Sequence, residues 1–220
     1  MSIPLLQVAL DNTSLEDAIA SIEQYGHLID IVEVGTILHV AEGLHATKTL
    51  RAMYPDKILL DDIKGADAGK TLAELCFGAG ADIMTAICAA DINTMIAMKK
   101  VGEKMTPVRD VQIELYGDWT YEQAASWLAA GIDQLVYHRS RDAELAGKTW
   151  DTPDFEKIGK LCEMGFKVTI TGGLNKEDLH LFKDYPIHCV IGGRSIRNAA
   201  NPAAEAQAFQ TEIRRIWGAK

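Results

Sequence analysis

Eight times along the chain a short run rich in aliphatic and β-branched residues gives way to a longer stretch of helical pattern. The candidate strands are 3–11, 29–35, 57–62, 82–87, 110–115, 134–138, 167–171 and 187–191. Helical stretches such as 14–25, 66–77 and 121–130 lie between them. Strands separated by helices pair in parallel through right-handed crossovers. Two architectures satisfy this: an open doubly wound sheet or a closed (β/α)8 barrel, the TIM barrel. Eight units in 220 residues average about 27 each, slightly tight for a barrel that typically runs ~250 residues. Thr13-Ser14-Leu15-Glu16 has the spacing of a capping box for the first helix. Gly78, Gly80, Gly131 and Gly165 fall where helices should end before strands.

Side-chain parity favours the barrel. Successive strand residues point to opposite faces. Leu6, Val8 and Leu10 share one parity, and Gln7, Ala9 and Asp11 the other. Val111, Ile113 and Leu115 oppose Gln112 and Glu114, and Val168 and Ile170 oppose Thr169 and Thr171. One parity is wholly apolar, and the other turns polar toward the strand's C-terminal end. A sheet covered by helices on both faces should be apolar on both. A barrel with a site at its C-terminal mouth predicts the observed asymmetry.

With 48% hydrophobic and 24% charged residues, the chain reads as a globular domain spanning 1–220, with no linker or low-complexity break. Intrinsic disorder is excluded on these grounds. The formal charge of −9 argues against nucleic acid, which is bound chiefly by neutralising phosphates. It leaves room for a small anion held by a local cluster of donors. The four cysteines show no metal-knuckle or CxxC spacing, and Cys76, Cys88 and Cys189 lie in apolar surroundings. Free buried thiols fit a reducing compartment. The opening MSIPLLQVALDN lacks a basic region, and no apolar run approaches the length of a membrane span. A cytoplasmic protein without membrane contact is expected.

The polar residues at strand C-termini are Asp11, Glu33, Asp62, Lys64, Glu114, His138 and Thr171. One acid at a strand end is more often a helix cap than a catalyst; the set is what matters. Carboxylates gathered around one axis repel each other and lose hydration, so each tends to protonate. A divalent cation and the Lys64 ammonium would offset that cost. Mg2+, which takes one or two carboxylates plus water and substrate, suits such a site. Asp62 and Lys64 share a parity, and Asp67 begins the next loop or helix. Surface ion pairs around a helix start would account for this triplet taken alone.

Thr171-Gly172-Gly173 ends the seventh strand, and Gly192-Gly193-Arg194 follows the eighth and opens a helix. Glycines there let backbone N–H groups approach an anion, and barrels frequently hold phosphate at this place. Arg194 would add a bidentate contact. Arg139 reads as a loop charge, with Arg141 beside it. His27, His39, His45, His180 and His188 show no metal-ligand spacing and read as structural or surface residues, and the four tryptophans read as packing, Trp217 docking the final helix.

Asp62-Ile63-Lys64-Gly65-Ala66-Asp67 is the Asp-x-Lys-x-x-Asp signature of the orotidine-monophosphate-decarboxylase superfamily of phosphate-binding barrels, which the chain resembles. Within it the chain is similar to the decarboxylases of 3-keto-L-gulonate 6-phosphate. The segments LQVALDN, IDIVEVGT, DVQIEL, VYHRSRD, FKVTITGG and IGGRSIR carry that likeness over essentially the whole length. The resemblance implies decarboxylation through an enediolate to L-xylulose 5-phosphate, in L-ascorbate catabolism, by a homodimer with shared active sites. It implies Mg2+ on Glu33 and Asp62, and Lys64 stabilising the enediolate. It implies Asp67 entering the partner's site, and Asp11 on substrate and Lys64. Arg194 with Gly173 and Gly193 would take the phosphate, with Thr171 and Gly172 beside it as substrate-binding residues. Glu114, His138 and Arg141 would position or supply the proton.

The neighbouring hexulose-6-phosphate synthases form a similar enediolate but condense it with formaldehyde. They carry Asp at the position of Glu114, Ala at that of Thr171, and no second Arg at HRSR. All three positions favour the decarboxylase. A non-catalytic sugar-phosphate-binding barrel is the reading of a different class, against which the costly acid cluster speaks. Asp61 departs from the family, where a small apolar residue is usual; its parity points to a helix, with Lys70 or a frayed strand end as its expected surroundings.

Overall fold

Strand β1 (Leu5–Leu10) pairs in parallel with β2 (Ile31–Val34) on one side and β8 (Cys189–Gly192) on the other, which closes the sheet. Between them β3 (Ile58–Gly65), β4 (Ile83–Ile87), β5 (Asp110–Leu115), β6 (Gln134–His138) and β7 (Lys167–Thr171) follow in chain order. The result, a computed structural model describing residues 2–218, is the expected (β/α)8 barrel. Of the domain expected over 1–220, Met1, Ala219 and Lys220 lie outside the described residues.

Helices fill the crossovers: α1 (Leu15–Ile22), α2 (Thr36–Glu42), α3 (Leu44–Met53), α4 (Gly69–Ala79), α5 (Ile92–Gly102), α6 (Tyr121–Ala129), α7 (Arg141–Leu145), α8 (Thr152–Glu163), α9 (Arg194–Arg197) and α10 (Pro202–Trp217). A 3-10 segment, Lys176–Phe182, replaces a full helix after β7. Among the described residues no helix is long and apolar enough to cross a membrane.

Several boundaries differ from the sequence expectation. Ser14, one residue beyond Thr13, caps α1 by accepting the Asp17 N–H, so the expected box is displaced. Helix α1 stops at Ile22 and a 3-10 turn at Gly26–Leu28 completes the stretch. Helix α4 begins at Gly69, because Gly65 still belongs to β3. Gly78 lies inside α4; the left-handed stop is Gly80, with φ 115°.

The two parities separate through the barrel wall as expected. Leu6, Val8, Leu10, Val32, Val34, Val111, Ile113, Leu135, Val168, Ile170 and Val190 are fully buried against the helices. Full burial of such a side chain is worth roughly 1.5–3 kcal/mol. Inside, Ile31, Leu60, Ile83 and Cys189 form an apolar floor with Leu5. Above it the inward residues turn polar and hydrogen-bond to one another: Gln7 Nε2 donates to Glu33 Oε2 at 2.6 Å, and Gln112 Nε2 to Thr169 Oγ1 at 3.1 Å. The strands are thus glued below and chemically loaded above.

Asp61 faces the helix layer as its parity requires, yet neither expected setting applies. It is fully buried in a strand that continues to Gly65. Thr47 Oγ1, from α3, donates to Asp61 Oδ1 at 2.8 Å, and His39 Nε2, from α2, lies 3.2 Å away. Lys70 pairs instead with Glu74, one helical turn along α4. His39 is therefore structural. Trp217 docks α10 as expected, its Nε1 donating to Tyr185 O at 3.0 Å.

Candidate active site

The C-terminal ends of the strands open into a cavity of about 490 Å³. Asp11, Glu33, Asp62, Lys64, Glu114, His138 and Thr171 all line it, so seven strand-end residues picked by parity converge on one space. Gly172, Gly173, Gly193 and Arg194 line its other side, and Arg141 lines it as well. Asp67 does not: it is exposed and its Oδ1 accepts the Ala68 N–H, outside the mouth of its own barrel.

Lys64 stands at the centre. Its Nζ contacts Asp62 Oδ2, and lies 2.8 Å from Glu114 Oε2 and 2.7 Å from Thr36 Oγ1. Simple strand alternation does not deliver this placement. The β3–β4 register shifts between Asp61 and Gly65, and Lys64 sits in left-handed backbone with φ 49°. Such a conformation costs a non-glycine residue of order 1–3 kcal/mol and persists only where its surroundings enforce it. The Lys64 N–H donates to Thr85 Oγ1 at 2.9 Å, which holds the turn. The same hydroxyl donates to Asp62 Oδ1 at 2.8 Å, so Thr85 fixes both residues.

Burial alone would push the Asp62 carboxyl up, but the Lys64 ammonium and hydrogen bonds from Lys64, Thr36 and Thr85 hold it below the usual range. Burial likewise opposes charge on Lys64, and Asp62 and Glu114 overcome it, so its pKa is raised and it stays an ammonium. Glu33 has no such neighbour. Burial, then the negative charges of Asp62 and Asp11, push its carboxyl well above the usual range, against the Gln7 hydrogen bond and a more distant Lys64. Asp11 sits tight against Gly35, where a Cβ would stand 2.3 Å from its Oδ1.

This imbalance is the test of fit for a metal. One ammonium serves two carboxylates while Glu33 is left charge-starved among acids, and the donors are all hard oxygens. A dication there would relieve the repulsion. Among the described residues no cage of three or more His, Cys, Asp or Glu ligands is formed. Two carboxylates with open positions suit Mg2+, which keeps water and substrate oxygens in its shell.

Beside Lys64, His138 Nδ1 lies 2.6 Å from Glu114 Oε1. Burial first, then Asp62, raise the Glu114 carboxyl, and His138 and Lys64 only partly offset them. Tyr116 joins from the loop after β5: its Oη is 2.8 Å from His138 Nδ1 and 3.2 Å from Nε2, and its ring lies 5.8 Å from Lys64 Nζ. Tyr116, Thr36 and Thr85 escaped the sequence reading. The inward parity 112–114–116 and 83–85–87 would have found Tyr116 and Thr85 if carried past acids and bases. Thr36 opens α2 after β2 and follows no strand period.

At the opposite side Gly172 and Gly173 are both left-handed, with φ 113° and 61°. The helix expected after Gly193 is a single turn, Arg194–Arg197. Arg194 Nη2 lies 2.7 Å from Glu144 Oε2, a residue the sequence reading did not single out. Arg139 is no free loop charge: it donates to Gly172 O from Nε at 3.0 Å and Nη2 at 2.7 Å, and stacks on Trp150. It clamps the loop after β6 onto the loop after β7.

Known proteins show the same architecture. A protein of Escherichia coli (strain UMN026) named 3-keto-L-gulonate-6-phosphate decarboxylase UlaD is 54% identical over 218 residues, covering 99% of this chain and 100% of its own. The crystal structure of KGPDC from Streptococcus mutans, solved as a complex, superimposes with a TM-score of 0.97 at 49% identity, over 99% of this chain and 100% of that one. The 3-hexulose-6-phosphate synthase of Salmonella typhimurium reaches 0.88 at 27% identity, over 96% and 99%. The model of the orotidine 5'-phosphate decarboxylase / HUMPS family matches residues 4–209, and the chain belongs to that family.

Proposed function

We propose that this enzyme decarboxylates 3-keto-L-gulonate 6-phosphate to L-xylulose 5-phosphate and carbon dioxide, as a Mg2+-dependent homodimer serving L-ascorbate catabolism in the cytoplasm. The observation that carries the reading is the Lys64 ammonium held between Asp62 and Glu114, with His138 on the far oxygen of Glu114. Relatives at about half identity over the full chain bear the decarboxylase name, which supports it.

The substrate is a β-keto acid. The bond between its carboxylate carbon and the adjacent carbon breaks, and the electron pair passes into an enediolate whose charge rests on the former carbonyl oxygen. Lys64 presents fixed positive charge to that oxygen without needing to reorganise. Glu33 and Asp62 would hold Mg2+, which supplies Lewis-acid charge to the substrate oxygens. Asp11 orients substrate hydroxyls beside Lys64. The carbon that lost carbon dioxide then takes a proton, from His138 or from a water held by Glu114 and His138, with Arg141 helping to position it. Thr171, Gly172, Gly173, Gly193 and Arg194 hold the phosphate, whose binding energy, remote from the reacting bond, fixes the substrate in place. Asp67, turned away from its own mouth, reaches the partner's site.

The synthase reading is supported by the likeness to the Salmonella protein, at half the identity of the decarboxylases. The Glu114–His138 pair and Arg141 favour delivery of a proton over addition of formaldehyde. The test is carbon dioxide release from 3-keto-L-gulonate 6-phosphate with Mg2+ and after chelation. Release in the first condition only is expected. Equal release in both rejects the metal role, and faster turnover of ribulose 5-phosphate with formaldehyde rejects the substrate. Tight phosphate binding without turnover of either would leave a binding protein.

A further inference from the structure

The phosphate end of the cavity already holds an anion of the protein's own. Glu144 lies on α7, the short helix after β6, and its Oε2 is 2.7 Å from Arg194 Nη2. Its carboxylate also lies against the bare Cα of Gly173, where a Cβ would stand 2.2 Å from Cδ and 2.3 Å from Oε1. Gly173 and Arg194 are the groups that the proposed function assigns to phosphate, and Glu144 lines the same cavity.

We infer that Glu144 is the resident anion of the phosphate subsite, a specificity-determining residue that a substrate's phosphate must displace. This rests on reading Gly172–Gly173 and Gly193–Arg194 as a phosphate cradle. An acid and a phosphate drawn to one guanidinium repel each other, so each weakens the other's hold. The pair is partly open to water, 33% at Arg194 and 26% at Glu144, so the resident holds weakly and yields to a strong competitor. Phosphate, with more charge and three acceptor oxygens, makes the stronger charge-assisted contacts. A ligand ending in a single carboxylate or a hydroxyl offers Arg194 no more than it has.

The helix that carries Glu144 is free to respond. Helix α7 has five residues and none is buried, so its displacement opens no core. Arg141 begins the same helix, three residues before Glu144 and on the same face. Displacement of the Glu144 carboxylate can therefore be taken up by the element that also carries Arg141.

The test is calorimetric titration of inorganic phosphate into the full-length protein and into Glu144→Gln, in low-salt amine buffer. Phosphate is expected to bind the variant about fivefold more tightly, the scale of a weak surface pair. Formate, a carboxylate probe, should compete with phosphate in the variant and not in the parent. Equal phosphate affinity in the two proteins overturns the inference while leaving the cradle standing. Absence of phosphate binding to either, or binding unchanged by Arg194→Ala, overturns the cradle reading itself and the inference with it.

Discussion

Lys64 and Glu114 meet at 2.8 Å across an intervening strand, the lysine from β3 and the acid from β5. The same ammonium contacts Asp62, so one cation neutralises two acids that would otherwise face each other. Lys64→Ala removes both the stabilising charge and the counter-ion of the acids. We expect kcat to fall by about 10²–10³-fold, the scale of losing one preorganised donor. KM should change far less, because the phosphate contacts are untouched. Steady-state carbon dioxide release measures both; a loss confined to KM would show that Lys64 only binds.

Tyr116 touches the residue next to Lys64. Its hydroxyl is within reach of both His138 nitrogens, and an atom so placed cannot lie along both lone pairs, which diverge in the ring plane. Glu114 Oε1 and the phenol both bear on Nδ1, at 2.6 and 2.8 Å, and together fix the imidazole. Tyr116→Phe should lower kcat about fivefold, the worth of one net hydrogen bond. The phenol holds the imidazole against one face of the intermediate. In D2O the variant should therefore spread deuterium over both positions of the new CH2 group more evenly than the parent does. NMR of the product reads this; an unchanged distribution would reduce Tyr116 to packing.

Glu114 makes stability depend on pH. Burial raises its carboxyl above the ordinary value of 4.5, so the folded state holds the proton more tightly than the unfolded chain. Its favourable contribution is full below that ordinary value and is lost as pH rises through the folded value. Glu114→Gln cannot titrate. Comparing thermal unfolding of the two proteins from acid to neutral pH without metal, the parent should lose ground to the variant as pH rises. Parallel curves would place the Glu114 proton elsewhere.

The barrel was legible because its two parities differ in chemistry along strands such as β1, β5 and β7. Six of the seven strand-end residues reach the mouth by alternation, since a closed barrel turns every inward position toward one axis, and Lys64 reaches it through a break in that alternation. Tyr116 and Thr85 follow that period and were missed only because they are neither acids nor bases; the rest of what was hidden depended on breaks in it. The left-handed backbone at Lys64 is a tertiary effect: Thr85, on the next strand, supplies the bond that holds it. Asp61 was correctly faced and wrongly partnered, because α2 and α3 bring His39 and Thr47 to it and sequence distance carries no trace of that packing. Glu144 sits in a loop helix with no hydrophobic period to betray its direction.

Asp61 yields its own prediction. It is buried between Thr47 and His39, directly behind Asp62. Asp61→Ala leaves the buried Thr47 hydroxyl without its acceptor, at a cost of about 1–3 kcal/mol. For a chain of this length that lowers Tm by about 2–4 °C per kcal/mol. Asp61→Asn, which keeps an acceptor for Thr47, should recover part of it. Scanning calorimetry decides; an Ala variant as stable as the parent would show the pair to be dispensable.

Asp67 offers the sharpest test of the shared site, because its own barrel makes no use of it. Asp67→Ala and Lys64→Ala homodimers should each be impaired if Asp67 completes the partner's mouth. Mixing them under exchange conditions forms heterodimers in which one mouth receives both faults and the other neither. In a two-fold symmetric dimer, equal mixing gives half heterodimers with one intact site of two, so activity should recover to about a quarter of the parent. Carbon dioxide release before and after exchange measures it, and size-exclusion chromatography confirms that dimers are present. Recovery to no more than the mean of the two parents would mean that Asp67 serves neither mouth across an interface, and the homodimer would lose its catalytic reason.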